Sequence, residues 1–147
     1  MKQAYIFDID GTLCDCTHRL CHIQSEPKNW DKFYGSIGDD APIKDVIRVA
    51  EALNKQGYSI LLVTGRPDNL MIDTIGWFKW NTSLKIDGLF FRKKGDYRPD
   101  SVIKKEMYET KIKDNFNVLG VFEDRKQVVD MWRSLGLTCF QVAEGDY

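Results

Sequence analysis

The sequence predicts an α/β fold, a three-layer architecture in which helices cover both faces of a doubly wound parallel sheet. Two observations carry this prediction. Short apolar runs that suit buried strands alternate along the chain with segments in which apolar residues recur at helical spacing. Several of these runs end directly in an acidic or hydroxyl residue. Because the carboxyl ends of parallel strands meet at one edge of a sheet, a functional site is expected there.

The first predicted strand is the apolar run that begins at Ala4 and ends in Asp8 and Asp10. Gly11 permits the tight departure of the chain after this strand. The two carboxylates repel each other at this spacing, and a bound Mg²⁺ is a common way to relieve the repulsion. A bare Asp-x-Asp is often only an acidic turn. The longer Asp-x-Asp-Gly-Thr-Leu sequence after an apolar strand is much more specific and predicts a chemical role.

Residues 14–40 form a polar segment that contains Trp30, Phe33 and Tyr34. The segment is too long for a simple strand-to-helix connection, and loops of this length are usually functional. We predict a small lid or cap insert after the first strand, with one short helix, that governs substrate choice. Its aromatic rings could stack a nucleobase or could simply pack the lid.

The rest of the chain continues the alternation of helices and strands. Predicted helices cover 43–53, 67–78, 100–111 and 128–135, and predicted strands cover 59–64, 88–91, 118–122 and 138–142. Pro67 suits the first turn of its helix, and Asp100 can cap the next one. Thr64 ends the second strand, and Glu123 with Asp124 follows the fourth. These polar residues are expected to converge with the acids of the first strand.

Length and charge limit the possible functions. With 147 residues, the chain is expected to be one domain over 1–147. The 21 basic and 22 acidic residues give a net charge of −1, so any contact with a polyanion must be local. The sequence has neither a signal-like stretch nor an apolar run near the ~18 residues that a membrane span needs, so the cytoplasm is the expected location.

Three of the four cysteines, Cys14, Cys16 and Cys21, lie in one loop with His18 and His22. This grouping raises the question of a zinc site. The spacing differs from the paired Cys-x-x-Cys arrangement that is typical of such sites. Free thiols in a reducing compartment are the favoured interpretation, and metal binding by this loop stays open.

Four ordered motifs resemble those of the haloacid dehalogenase (HAD) superfamily of phosphohydrolases. They are Asp-Ile-Asp-Gly-Thr at 8–12, Val-Thr-Gly-Arg at 63–66, a following lysine, and Glu-Asp at 123–124. The resemblance implies a HAD-like Rossmannoid fold, Mg²⁺ as cofactor and phosphatase chemistry. It also implies that residues of all four motifs meet in one active site.

A narrower resemblance links the chain to the 3′-phosphatase domains of bacteriophage-type polynucleotide kinases. Residues 95–104, 124–133 and 141–147 carry this likeness, which spans nearly the whole chain and is weakest over 14–40. It implies a polynucleotide 3′-phosphatase-like enzyme in nucleic acid end repair. The sequence does not contain the Gly-x-x-x-x-Gly-Lys-Ser/Thr phosphate loop of a kinase, so a stand-alone phosphatase is expected, and a separate kinase or ligase partner could supply the other activities.

The resemblance also implies roles for individual residues. Asp8 would be the nucleophile, Asp10 the general acid and base, and Thr64 a hydrogen-bonding partner of the phosphoryl group. The Asp8 side chain, the Asp10 backbone carbonyl and Asp124 would bind Mg²⁺, with Glu123 beside them. The superfamily often has a second aspartate where this chain has Glu123, so its contact with the metal stays open.

Periodicity indicates which lysine belongs to the site. Ile103 and Tyr108 mark the buried side of the predicted 100–111 helix. Lys104 shares a row with Tyr108 at i, i+4, whereas Lys105 lies on the exposed side. Lys104 is therefore the preferred catalytic lysine and agrees with the family position, while Lys105 and Lys111 stay possible.

Basic residues are the candidates for substrate binding. The resemblance implies this role for Arg19, after the first motif, and for Arg66, which follows Gly65 in the second. The basic run 92–94 with Arg98 could hold a backbone phosphate or could be a solvated loop.

We therefore predict a Mg²⁺-dependent phosphomonoesterase that removes 3′-phosphates from nucleic-acid ends or nucleotides through an aspartyl-phosphate. The first alternative is a 5′-nucleotidase or another small-molecule HAD phosphatase, which would share the core and differ in the lid. A receiver-like signalling module and a phosphate-binding protein on a degenerate phosphatase scaffold are weaker alternatives. A receiver domain places its aspartate on a middle strand, and a degenerate scaffold would have lost a motif residue.

Overall fold

Seven strands and five α-helices alternate along residues 1–146, the part of the chain that a computed structural model describes. Tyr147, which ends the predicted domain and the 141–147 stretch, lies outside the described residues. The strands are β1 (Lys2–Phe7), β2 (Cys14–Asp15), β3 (Ala41–Pro42), β4 (Ser59–Pro67), β5 (Ile86–Arg92), β6 (Phe116–Arg125) and β7 (Cys139–Gly145). The helices are α1 (Trp30–Gly35), α2 (Lys44–Lys55), α3 (Met71–Asn81), α4 (Asp100–Met107) and α5 (Lys126–Ser134). Within this range, every helix falls short of the length and apolar character needed to cross a membrane.

Five of the strands form one sheet in the order β5-β4-β1-β6-β7, and every neighbouring pair is parallel. From β1 at the centre, the chain builds β4 and β5 on one side and then returns to build β6 and β7 on the other. The strand order therefore reverses next to β1. In such sheets ligands bind in the crevice outside the carboxyl ends of the strands at this point. The predicted doubly wound α/β fold is confirmed.

Helices cover both faces of the sheet, and side chains that alternate along β1 reach both core layers. Ile6 packs with Ile103 of α4 and Trp132 of α5 on one face. Phe7 packs with Trp77 of α3 on the other face, together with side chains of α2. All of these side chains are buried. The two layers hold the carboxyl end of β1 in place from both sides.

The predicted lid folds as a small insert at the carboxyl edge of the sheet. β2 and β3 pair antiparallel at its base, and α1 lies between them with 3-10 helices at Thr17–His22 and Ile37–Asp39. The Asn29 side chain accepts a hydrogen bond from the Lys32 backbone N–H (3.1 Å) and caps α1. The insert thus continues to Pro42, slightly beyond its predicted end at residue 40, because β3 is the partner of β2.

Two predicted helix boundaries are wrong. Pro67, predicted in the first turn of a helix, instead ends β4 with extended backbone (φ −68°, ψ 151°) and pairs with Arg92 of β5. The helix predicted over 100–111 is α-helical only to Met107, because the backbone then widens into a π-helical turn over Tyr108–Ile112.

The central position of β1 leads to a prediction about stability. Ile6→Ala should lower the free energy of unfolding by about 2–5 kcal/mol, because it removes a fully buried side chain between packed layers. Chemical denaturation of both proteins measures the difference. Val49→Ala on α2, where the side chain is 43% exposed, is the control and should change stability by well under half as much. Equal losses in the two variants would contradict this view of the core.

Candidate active site

The loop after β1 fixes the position of Asp8. The Asp8 backbone N–H donates to the carbonyl oxygen of Phe122 on β6 (3.0 Å). The carbonyl oxygen of Ile9 accepts from the N–H groups of residues 12–14 at 2.9–3.1 Å, which closes a tight loop. Gly11 lies in this loop with a φ of +82°, a conformation that favours glycine. The carboxylate of Asp8 is therefore held at the carboxyl ends of the two central strands.

Three buried carboxylates meet at this position. Ligand oxygens of Asp8, Glu123 and Asp124 all lie within 4.8 Å of one another. The Thr12 hydroxyl lies within hydrogen-bond distance of Asp8 Oδ2 (3.1 Å) and Asp124 Oδ1 (3.2 Å). Burial and the nearby charge of Glu123 raise the pKa of Asp8 well above its ordinary value. The cluster concentrates negative charge that requires positive partners.

Lys104 is the cation that the structure brings to this cluster. Its Nζ donates to Asp8 Oδ1 (2.8 Å) and Glu123 Oε2 (3.0 Å), and it lies 3.4 Å from Asp100 Oδ2. Burial opposes the charge on Lys104, but the surrounding carboxylates outweigh it and raise the pKa of Lys104. Lys105 lies outside the cluster, half exposed and 3.8 Å from Glu109. The placement of these two lysines agrees with the periodicity of the helix.

The acidic cluster fits a hard divalent cation. Its three members offer carboxylate oxygens, the donors that Mg²⁺ prefers, and Lys104 offsets only one of their three charges. The side chain of Asp10 is directed elsewhere, toward Arg19 and Arg66. Only its backbone carbonyl is therefore a candidate ligand, as the resemblance implies.

Asp10 lies in a second, oppositely charged environment. Arg66 binds its carboxylate with both Nε (3.1 Å to Oδ2) and Nη2 (2.7 Å to Oδ1), and Arg19 Nη2 adds a third contact (2.6 Å to Oδ1). Burial would raise the pKa of Asp10, but the charges of Arg66 and Arg19 outweigh burial and lower it to about 2. Asp8 and Asp10, two residues apart, thus have pKa values shifted in opposite directions.

Asp40 is a site residue that the sequence analysis missed. Its buried carboxylate accepts from Arg19 Nε (2.7 Å) and Nη2 (2.6 Å), and it lies 3.4 Å from Arg66 Nη2. The His18 ring contacts it as well, with Nε2 at 2.7 Å. The sequence offered only an Asp pair near the end of the insert, and nothing in it distinguished Asp40 from the exposed Asp39.

Asp100 was also missed, because it was predicted to cap α4. The helix instead begins without a side-chain cap, and the Asp100 carboxylate lies near Lys104 (3.4 Å), Arg92 (3.5 Å) and Arg125 (3.7 Å). A Cβ atom on Gly65 would overlap this carboxylate. The absence of a side chain at Gly65 therefore leaves the space that the Asp100 carboxylate occupies. This structural role differs from the substrate contact that was predicted for Gly65.

Thr64 lies close to the end of β1, because Leu62 of β4 pairs with Phe7. The Thr64 side chain is buried, and its Oγ1 accepts from the Arg66 backbone N–H (3.1 Å). Arg66 Nη1 in turn donates to Thr74 Oγ1 on α3 (3.0 Å). These contacts shape the turn that directs Arg66 toward Asp10.

Arg98 does not join the other predicted site residues. Its guanidinium pairs with Asp96 (2.8 Å) and Glu106 (2.7 Å), and its side chain is 47% exposed. Within the same basic run, Arg92 donates to the backbone oxygens of Gly65, Asp96 and Arg98. The two acids offset the charge that was expected to attract phosphate, so this placement argues against a substrate role for Arg98.

In the described part of the chain, the cysteine-rich loop does not bring three potential metal ligands close to one another. Among residues 1–146, the metal-binding geometry found is that of Asp8, Glu123 and Asp124. All four cysteines are free thiols, with Cys14 and Cys16 buried. Burial raises the pKa of the Cys16 thiol to about 12. These features support the interpretation as free thiols.

The parallel sheet, the Asp-x-Asp-Gly-Thr loop, and the buried lysine with its acidic pair define a phosphatase of the haloacid dehalogenase superfamily. A family model described as the polynucleotide kinase PNKP phosphatase domain matches residues 2–147. The chain belongs to this family.

Individual relatives agree with this assignment. Over 147 residues, the chain is 29% identical to a protein of Autographa californica nuclear polyhedrosis virus named as a bifunctional polynucleotide kinase/RNA ligase, covering 99% of the chain and 20% of that protein. A structure of the Pnkp1/Rnl/Hen1 complex matches with a TM-score of 0.84 and 34% identity, over 100% of this chain and 48% of that one. The class C acid phosphatase from Bacillus anthracis has the same fold (TM-score 0.73, 14% identity, 99% of this chain and 68% of that one). The chain thus spans a fifth of the viral relative and about half of the chain in the complex.

The contact between Gly65 and Asp100 leads to a prediction. Gly65→Ala should lower kcat/KM by about tenfold or more, because the added methyl group displaces the carboxylate that holds Lys104. Steady-state kinetics and thermal melting measure the effect. Gly76→Ala is the matched control, since its Cβ would meet nothing within 4 Å on helix α3. Full activity of Gly65→Ala would show that Asp100 is not needed in this position.

Proposed function

We propose that this phosphatase is a Mg²⁺-dependent phosphomonoesterase that removes 3′-phosphates from nucleic-acid ends or nucleotides through an aspartyl-phosphate. One observation carries the chemical part of the proposal. The buried Asp8 carboxylate lies 2.8 Å from Lys104 Nζ and beside Glu123 and Asp124. A carboxylate in such a cluster can attack phosphorus, and the cation beside it can offset the charge that develops.

The two aspartates of the first motif have different roles in this proposal. Asp8 Oδ forms a bond to phosphorus while the bond from phosphorus to the leaving oxygen breaks. Asp10 gives its proton to that oxygen and later takes a proton from the water that hydrolyses the aspartyl-phosphate. Asp8, the Asp10 backbone carbonyl, Asp124 and Glu123 would hold Mg²⁺, which supplies charge neutralisation at the phosphoryl oxygens.

The second motif and Arg19 bind the phosphoryl group in this proposal. Thr64 would hydrogen-bond the phosphoryl group from the end of β4, and Arg19 and Arg66 would offer the positive charge. An incoming phosphoryl dianion competes with Asp10 for the N–H groups of both arginines. The arginine charges then lower the pKa of Asp10 less strongly. With a higher pKa, Asp10 can carry the proton that it must donate.

The nucleic-acid part of the proposal rests on family membership. The related viral protein is named for polynucleotide kinase and RNA ligase, and the related structure is a complex of Pnkp1, Rnl and Hen1. We propose by analogy that the chain acts on phosphorylated ends and works with a separate kinase or ligase. The whole of 1–147 then serves as one phosphatase domain, with 14–40 as its lid.

The proposed specificity is tested with matched oligonucleotides and mononucleotides that carry phosphate at the 3′ or the 5′ position. Release of phosphate from 3′ ends should exceed release from 5′ ends by about tenfold or more, and EDTA should abolish it in a way that Mg²⁺ restores. Asp8→Asn should lower kcat by about 10³-fold or more, because an amide does not attack phosphorus.

Asp114→Asn, a change at an exposed residue in the turn before β6, is the matched control for Asp8→Asn and should keep full activity. Hydrolysis of 5′-mononucleotides alone would contradict the 3′ assignment and favour a 5′-nucleotidase. Activity retained by Asp8→Asn would remove Asp8 as the nucleophile.

The aromatic side chains of the lid lead to a prediction about substrate binding. Trp30 is 46% exposed and stacks on Tyr34 (6.0 Å between ring centroids), and Lys28 Nζ lies 5.9 Å from its ring. If a nucleobase stacks there, Trp30→Ala should raise KM for a 3′-phosphorylated oligonucleotide about five- to tenfold and leave KM for p-nitrophenyl phosphate unchanged. Trp80→Ala on α3, where the ring is 90% exposed, is the control. An unchanged KM for the oligonucleotide would mean that Trp30 only packs the lid.

A further inference from the structure

Two arginines and two aspartates form one buried network beside the acidic cluster. Arg19 binds Asp40 with a two-pronged contact (2.7 and 2.6 Å) and Asp10 with one (2.6 Å). Arg66 has the reverse pattern, two-pronged on Asp10 (3.1 and 2.7 Å) and single on Asp40 (3.4 Å). The side chains of Arg19, Arg66 and Asp40 are at most 1% exposed, whereas that of Asp10 is 21% exposed. Asp10 is thus the member of the network that faces the solvent side.

Asp40 is the fixed end of this network. Its backbone N–H donates to the Ile37 carbonyl oxygen (3.2 Å), and its own carbonyl oxygen accepts from Trp77 Nε1 on α3 (2.9 Å). Its carboxylate is fully buried on the inner side of the insert. Asp40 therefore does not reach a substrate itself, and any effect it has on the reaction must pass through the two arginines.

We propose that Asp40 is a positioning residue that orients the guanidinium groups of Arg19 and Arg66, and through them the Asp10 carboxylate. A two-pronged contact between a guanidinium and a carboxylate fixes the plane of both groups. Asp40 also offsets one of the two positive charges of the arginines. The remaining positive charge is then shared between Asp10 and an incoming phosphoryl group. Without Asp40, Arg19 would lose its two-pronged contact and Arg66 its second carboxylate, which would leave Asp10 as the carboxylate that both guanidinium groups bind.

Misplacement of the Asp10 carboxylate would impair the proton transfer that Asp10 performs. This inference therefore rests on the acid-base role that the proposed function gives to Asp10. As the bond between Asp8 and phosphorus forms, the electron pair of the breaking bond moves onto the leaving oxygen, and the proton of Asp10 joins it to give the free alcohol. An alkyl leaving group needs this proton because an alkoxide is a poor leaving group. A nitrophenolate departs without it. Loss of Asp40 should therefore damage the hydrolysis of alkyl phosphates selectively.

The test compares Asp40→Asn with the wild-type chain on glycerol 2-phosphate and on p-nitrophenyl phosphate. The measured quantity is kcat/KM, which covers the steps up to release of the alcohol and excludes later hydrolysis of the aspartyl-phosphate. We expect the loss on the alkyl phosphate to exceed the loss on the aryl phosphate by about tenfold or more, because acid-base catalysis contributes about 10²–10⁴-fold. Equal losses on both substrates, or no loss, would overturn the proposal.

Two further variants keep the test decisive. Asp39→Asn changes the exposed neighbouring acid and should leave both rates unchanged. Thr74→Val removes the uncharged acceptor of Arg66 Nη1 (3.0 Å) and should produce the same selectivity at about threefold or more, even if Asp40→Asn does not fold. Equal effects of Thr74→Val on the two substrates would count against the network. Neither substrate carries a nucleoside, so a failure of the 3′-end assignment would appear only with oligonucleotides and is distinguishable from a failure of this inference.

Discussion

Buried negative charge at the carboxyl edge of the sheet is the constraint to which the rest of the site adjusts. Carboxylates removed from water destabilise a protein unless cations and hydrogen bonds compensate them. The chain compensates them in two separate groups. Lys104 lies among Asp8, Glu123 and Asp124, whereas Arg19 and Arg66 lie between Asp10 and Asp40. The sheet order makes both groups possible, because β4 and β6 flank β1 and bring their polar ends to the same crevice.

The division into two groups gives two neighbouring aspartates different chemistry. Burial among other acids raises the pKa of Asp8, and two guanidinium groups lower that of Asp10 to about 2. Paired titratable groups with environments that push their pKa values apart are a common feature of acid-base sites. An excess of negative charge around Asp8 suits a cation, which would in turn offset the charge of a phosphoryl group, while the arginines around Asp10 supply donors that a phosphate can share. The proposed roles require both shifts to be reversed, with a cation beside Asp8 to lower its pKa and a phosphoryl group beside the arginines to raise that of Asp10.

The sequence predicted the features that depend on local pattern. Apolar runs indicated the parallel strands, and helical periodicity favoured Lys104 over Lys105. Asp40 was not predicted as a site residue, because only the fold brings Arg66 near it. Asp100 was predicted as a helix cap, and although Lys104 follows it at i, i+4, its contacts with Arg92 and Arg125 depend on the fold. The basic run left open whether Arg98 contacts phosphate or lies in a solvated loop. The pairing of Arg98 with Glu106 on α4 is visible only in three dimensions.

The insert after β1 contributes residues to the site. Its inner side supplies both Arg19 and Asp40, the two-pronged pair of the buried network. Arg19 also donates to the Phe33 carbonyl oxygen (3.3 Å) and lies 4.6 Å from the Phe33 ring, which ties it to α1. The exposed Trp30 belongs to the same short helix and packs edge-on against Phe33 (5.7 Å). A ligand that stacks on Trp30 would therefore act on the element that holds Arg19. In the proposed function, substrate recognition by the lid and placement of the acid-base group would share one structural unit.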